Sequence, residues 1–123
     1  MAHVPPTVKK GSKGDAVKGL QNALNARGYD VGTVDGIFGP ATETAVKSFQ
    51  RDFGLDVDGI VGPNTWEALG VYVVQSGDTL SSIAEERIGD ASRWEELYDL
   101  NRDLIKDPDK ISPGQVLVLP EGC

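Results

Sequence analysis

Apolar residues fall at helical spacing in three stretches before Gly70, and two more such stretches follow it, flanked by short β-branched runs. Val17, Leu20, Gln21 and Leu24 share one face behind Asp15, which reads as an N-cap, and Gly28 is placed to terminate the turn. This predicts a first helix over Asp15 to Arg27. A second opens at Pro40 with Ala45, Val46, Phe49 and Phe53 on one face and closes at Gly54, and a short third opens at Pro63 and carries Trp66 and Leu69. Three amphipathic helices joined by tight turns predict a small bundle.

After Gly70 the period changes. Val71 to Gln75 and Val116 to Leu119 read as strands, the second ending at Pro120. Between them, one helix follows Asp78 with Leu80, Ile83, Ala84 and Ile88 inward. Another opens on a capping box, Ser92 to Glu95, and buries Trp94, Leu97 and Tyr98. The order is strand, helix, helix, strand, so the terminal strands can pair over the helices and leave the connecting loops at the rim. The expected fold class is α+β, an N-terminal all-α three-helix bundle followed by a βααβ unit. The expected boundaries are a tail over 1–7, the bundle over 8–69, a linker at 70–71, the βααβ unit over 72–120 and a tail over 121–123. So short a linker predicts a nearly fixed mutual orientation.

The segment DGIFGPAT, Asp35 to Thr42, recurs as DGIVGPNT, Asp58 to Thr65. Each copy joins an Asp-Gly turn, where Gly accepts positive φ, to a Gly-Pro helix start. Two copies offset by 23 residues are too few for a solenoid and predict one pseudo-symmetric domain. Asp35 and Asp58 resemble a carboxylate pair of the kind glycosidases use, but both precede Gly in a turn and are expected to be structural. No Ser-His-Asp, Cys-His or HExxH arrangement is present, so no catalytic residue is assigned and the chain is expected not to be an enzyme.

Composition narrows the ligand. With 39% apolar and 25% charged residues, the 123-residue chain is an ordinary globular one. No apolar run is long enough for a membrane span, and MAHVPPTVKK lacks a secretory signal. The expected location is therefore cytoplasmic if the chain is complete, and cell wall or extracellular if it is part of a longer exported protein or phage particle. His3 and Cys123 are single and peripheral, which leaves no basis for a His- or Cys-centred site. The net charge of −7 is uneven: residues 1 to 70 carry 7 basic and 8 acidic groups, residues 71 to 123 carry 5 and 11. Such a surface repels phosphate backbones and anionic lipid, so neither nucleic acid nor membrane insertion is expected. Asp103, Asp107 and Asp109, like Asp56 and Asp58, match a calcium loop only in part, and no metal or cofactor is assigned. A neutral ligand held by hydrogen bonds and apolar contact fits best.

SGDTLSSIA (Ser76 to Ala84), WEELYDLN (Trp94 to Asn101) and ISPGQVLVLP (Ile111 to Pro120) together resemble a LysM domain over Tyr72 to Pro120. GSKGDAVKGLQNAL, GYDVGTVDGIFGPATETAVKSFQ and GLDVDGIVGPNTWEAL resemble the three-helix peptidoglycan-binding domain appended to wall hydrolases. The resemblance implies two tandem modules that bind peptidoglycan or chito-oligosaccharide through N-acetylglucosamine. An N-acetyl sugar needs backbone donors and acceptors beside an apolar floor, and no charge. By resemblance, Gly77, Asp78, Thr79 and Leu80 form one wall of the site, and Leu104, Ile105, Ile111, Ser112 and Pro113 the other, with Asn101 at the loop's start. Each has a structural alternative: Asp78 as N-cap, Asn101 as a holder of loop carbonyls, Ile105 and Ile111 as core, Pro113 as turn. A different functional class also fits, an adaptor in a phage-tail or contractile-injection assembly that docks protein partners through the LysM module.

Overall fold

The structure is a computed structural model and describes residues 5–120; His3 and Cys123 lie outside the described residues. Its elements are α1 (Asp15–Ala26), α2 (Pro40–Asp52), α3 (Pro63–Leu69), β1 (Val71–Val73), α4 (Leu80–Ile88), a 3-10 turn (Ala91–Arg93), α5 (Trp94–Leu100) and β2 (Val116–Val118). The bundle and the βααβ unit are both present. Val17, Leu20 and Leu24 of α1, Val46 and Phe49 of α2 and Trp66 and Leu69 of α3 form the first core. Val8 is bridged to Val61 and closes this module from its N-terminal side.

Several local expectations are corrected. Asp15 is the first residue of α1 rather than its cap; Gly14 holds the cap position without a side-chain bond. Phe53 lies past the end of α2, is 53% exposed, and stacks on Phe49 from outside with ring centroids 4.3 Å apart. The N-cap of α4 is Thr79, not Asp78, and it forms a capping box with Ser82. No capping box joins Ser92 to Glu95: Asp90 caps the preceding 3-10 turn instead, α5 starts at Trp94, and Trp94 is only half-buried.

The repeated octapeptide has a buried glutamine at its centre. Gln21 Nε2 donates to Asp35 Oδ1 at 3.0 Å, Ile37 O at 3.0 Å and Thr42 Oγ1 at 3.1 Å, and its Oε1 accepts from Gly36 N. Gln50 repeats the pattern with Asp58, Ile60, Thr65 and Gly59. Both glutamines are 1% exposed, so every polar atom needs a protein partner. Gly36 and Gly59 sit at φ 77° and 73°, the left-handed region that presents their N–H groups to the glutamine. The Asp35 carboxyl is held below its ordinary range, chiefly by the Gln21 amide and then by the Ile37 N–H. The two acids are thus occupied as turn anchors.

β1 and β2 pair antiparallel with Val71 opposite Val118, Tyr72 opposite Leu117 and Val73 opposite Val116. All of β2 is buried, and its side chains alternate between two cores. Leu117 joins Leu80, Ile83, Leu97 and Ile105 in the second module, while Val116 and Val118 enter the core of the first. Period-two alternation places successive side chains on opposite faces, so this strand is shared. Helix α1 can come this close because position 19 is Gly: a Cβ there would lie 2.5 Å from Val116 Cβ and 2.6 Å from Val116 O.

Polar bonds complete the seam. Arg27 donates from Nη2 to Leu69 O and Leu119 O, tying the end of α3 to the end of β2. Asn22 Nδ2 donates to Leu100 O at 2.9 Å and Asn101 Oδ1 at 3.0 Å.

Candidate functional site

The sequence of the second module builds one groove at its rim. The chain leaves β1 through Val74 and turns at Asp78, whose Oδ2 accepts from Gln75 N and from the Tyr72 hydroxyl, both at 2.7 Å. These two hydrogen bonds fix the first wall, and α4 starts immediately behind it. The opposite wall is the loop between α5 and β2, folded by an Asp107–Asp109 turn and by Gln115, whose Oε1 accepts from Ser112 N. Between the walls is a groove of about 310 Å³ lined by Asp78, Thr79, Leu80, Ser81, Trp94, Pro108, Asp109 and Ile111. The volume is at the small end of the range for small-molecule sites.

Four of the expected residues, Asp78, Thr79, Leu80 and Ile111, meet in this groove. Two cannot contact a ligand here. Asn101 is fully buried, with Nδ2 donating to Leu97 O and Val118 O, and Ile105 is 1% exposed in the second core. The assignment of both as sugar contacts is therefore corrected to structural. Gly77, Ser112 and Pro113 are exposed but do not line the groove, and Leu104 packs half-buried against the core.

Trp94, Ser81, Pro108 and Asp109 line the groove as well, with no ligand signal in the sequence. Helical spacing places Trp94 in the core, and its ring does pack against the second core, but at the start of α5 it is only half-buried and also lines the groove. Chemically the groove offers an apolar floor from Leu80, Trp94, Pro108 and Ile111, with hydroxyls and carboxylates around it. Burial, then the Asp78 hydrogen bond and charge, pushes the Tyr72 hydroxyl up to about 12, so it stays a neutral donor to Asp78.

A second groove, also of about 310 Å³, lies on the first module beside the second repeat, lined in part by Leu55, Asp56, Asp58, Ile60 and Asn64. Ile60 is 39% exposed there, and Ile37 is exposed in the equivalent place of the first repeat. Among the described residues no group of three or more His, Cys, Asp or Glu is placed to hold a metal ion. No helix among them is long and apolar enough to cross a membrane.

The family profile of the peptidoglycan binding domain matches residues 13–69, and that of the LysM domain matches 72–120. Residues 13–69 thus carry a peptidoglycan-binding module and residues 72–120 a LysM module, in that order. The chain is similar to the potassium binding protein Kbp of Escherichia coli, 48% identical over 50 residues, which cover 41% of this chain and 34% of that protein. Over 77 residues it is 44% identical to the zinc D-Ala-D-Ala carboxypeptidase of Streptomyces albus G, covering 58% of this chain and 28% of the relative. Among solved structures, the SleB N-terminal domain superposes with a TM-score of 0.52 at 40% identity, covering 55% of this chain and 93% of that one. The chain thus spans about a third of the length of these two curated relatives. Both matched segments are binding domains, and the groove that Thr79 and Ile111 line lies within the LysM segment.

Proposed function

We propose that this protein binds peptidoglycan without catalysis and takes an N-acetylglucosamine-containing glycan in the LysM groove. The observation that carries the reading is the lining itself: an apolar floor of Leu80, Trp94, Pro108 and Ile111 beside the hydroxyls of Thr79 and Ser81 and the carboxylates of Asp78 and Asp109, on a LysM domain. An acetamido sugar presents a methyl group to such a floor and an amide to such a rim. The acidic side chains Asp78 and Asp109 favour a neutral glycan over an anionic polymer. The groove on the first module supplies a second wall contact, and both modules act at the cell wall.

Retention on purified insoluble peptidoglycan tests the proposal, followed by calorimetric titration with chito-oligosaccharides. Intact protein is expected in the pellet, and Ile111→Asp, which places a charge on the floor, is expected to weaken binding about tenfold or more, at least about 1.4 kcal/mol. Protein that stays in the supernatant refutes wall binding and leaves the protein-docking adaptor as the reading. Unaltered titration of Ile111→Asp moves the site elsewhere.

A further inference from the structure

We infer that helix α1 of the peptidoglycan-binding module is a working part of the LysM groove, with Asn22 as the positioning residue that sets its outer wall. The inference rests on the glycan reading above for its ligand, but its geometry stands apart from it.

The groove's outer wall hangs from Asn101. The Asn101 side chain holds the C-terminal end of α5 through Leu97 O and grips β2 through both the N–H and the C=O of Val118. Its backbone carbonyl then accepts from Leu104 N and Ile105 N, both at 2.9 Å, which starts the loop. Ile105 is sealed in the core, and the next six residues bring Pro108, Asp109 and Ile111 to the groove. Whatever fixes Asn101 therefore fixes that wall relative to the sheet.

Asn22 does so from the other module. Its two amide hydrogens go to Leu100 O and Asn101 Oδ1, a pair of acceptors that close the turn at the end of α5. Asn22 is itself 5% exposed and lies on a helix turn next to Gly19, where α1 touches Val116. Removing the amide leaves the Leu100 carbonyl without that donor beside a buried seam, and an unmet buried acceptor is relieved by movement of the segment that bears it. That segment leads directly into the groove wall. The carboxamide of the first module is thus coupled to glycan affinity in the second.

The test compares full-length Asn22→Ala with Val46→Ala, which opens a cavity in the core at helix α2 and lowers stability without touching Asn101. At a temperature well below both melting points, chito-oligosaccharide affinity of Asn22→Ala is expected to fall about five- to tenfold. Val46→Ala is expected to stay within about twofold of the parent at a comparable loss of Tm. Asn22→Ser, which retains one donor, is expected to fall between Asn22→Ala and the parent and serves if the alanine variant does not fold. Equal affinities for the Asn22 variants and the parent, or an equal loss in Val46→Ala, overturn the inference. If the parent binds no chito-oligosaccharide, the glycan reading fails by itself, and amide hydrogen exchange still decides the positioning role. Ile105 and Val118 amides should then exchange faster in Asn22→Ala than in Val46→Ala; indistinguishable rates overturn it.

Discussion

Replacing Gly19 by Ala sets two opposed effects against each other. In a helix interior Ala is favoured over Gly by about 1 kcal/mol, so on propensity alone Gly19→Ala would stabilise α1. At this position the new methyl would stand 2.5 Å from Val116 Cβ, 2.6 Å from Val116 O and 2.9 Å from Val116 Cγ1. One of these atoms is backbone carbonyl in a strand hydrogen-bonded to β1, so the clash cannot be relieved by a rotamer change. Relief needs α1 and β2 to part by roughly an ångström, which also stretches the bonds made by Asn22 and Arg27. Overpacking of this kind costs about 1–3 kcal/mol, and loss of the seam bonds adds about 1 kcal/mol or more. The net expectation is a destabilisation of about 1–3 kcal/mol, read as a lowered urea midpoint and a Tm lower by several degrees. A neutral or stabilising result would show that the modules separate at little cost and would refute the shared-strand account.

The glutamine locks predict that Gln50→Ala costs about 2–4 kcal/mol in urea unfolding, because it strands the buried Gly59 N–H and leaves a cavity, and that Gln21→Ala costs a similar amount. A loss below about 0.5 kcal/mol for either would contradict the buried network. For Tyr72, the folded value near 12 lies above the ordinary 10, so its contribution is complete below pH 10 and is lost as pH rises from 10 towards 12. Tyr72→Phe should flatten that alkaline decline in stability; the same slope in parent and variant would exclude Tyr72 as its source. Trp94 lines the groove whereas Trp66 is 1% exposed, so bound oligosaccharide should alter the emission of the parent, and Trp94→Phe should abolish the change. A response that persists in that variant places the ligand elsewhere.

Helix periodicity, Gly-Pro starts and the two β-branched runs made most elements legible in the sequence, because each is a local signal. Helix caps depend on which neighbouring acceptor is already bonded elsewhere. Asp78 and Thr79 are adjacent acceptors, and the helix took Thr79 since Asp78 was already bonded to Gln75 N and Tyr72. Phe53 continued the inner-face pattern of α2, but the helix ends at Asp52 and the pattern no longer governs its direction. In the site, Asn101 and Ile105 are ligand candidates by resemblance with a structural alternative each, and burial decides for the alternative, because it depends on what closes over the loop. Gly19 and Asn22 carry no signal, since the partners that give them meaning are far along the chain, Val116 being 97 residues from Gly19 and Asn101 79 from Asn22.

The strand shared between two cores also bears on how far such a segment is portable. Tandem wall modules are natural units for recombination, yet here a LysM sequence moved to another host would carry Val116 and Val118 away from the helix that covers them. It would arrive with an apolar sheet face open to water, a surface prone to self-association. A foreign LysM placed behind this α1 would instead meet a notch left by Gly19 and shaped to Val116. A productive graft must exchange the α1 surface together with the strand, which makes the splice point a helix face rather than Gly70.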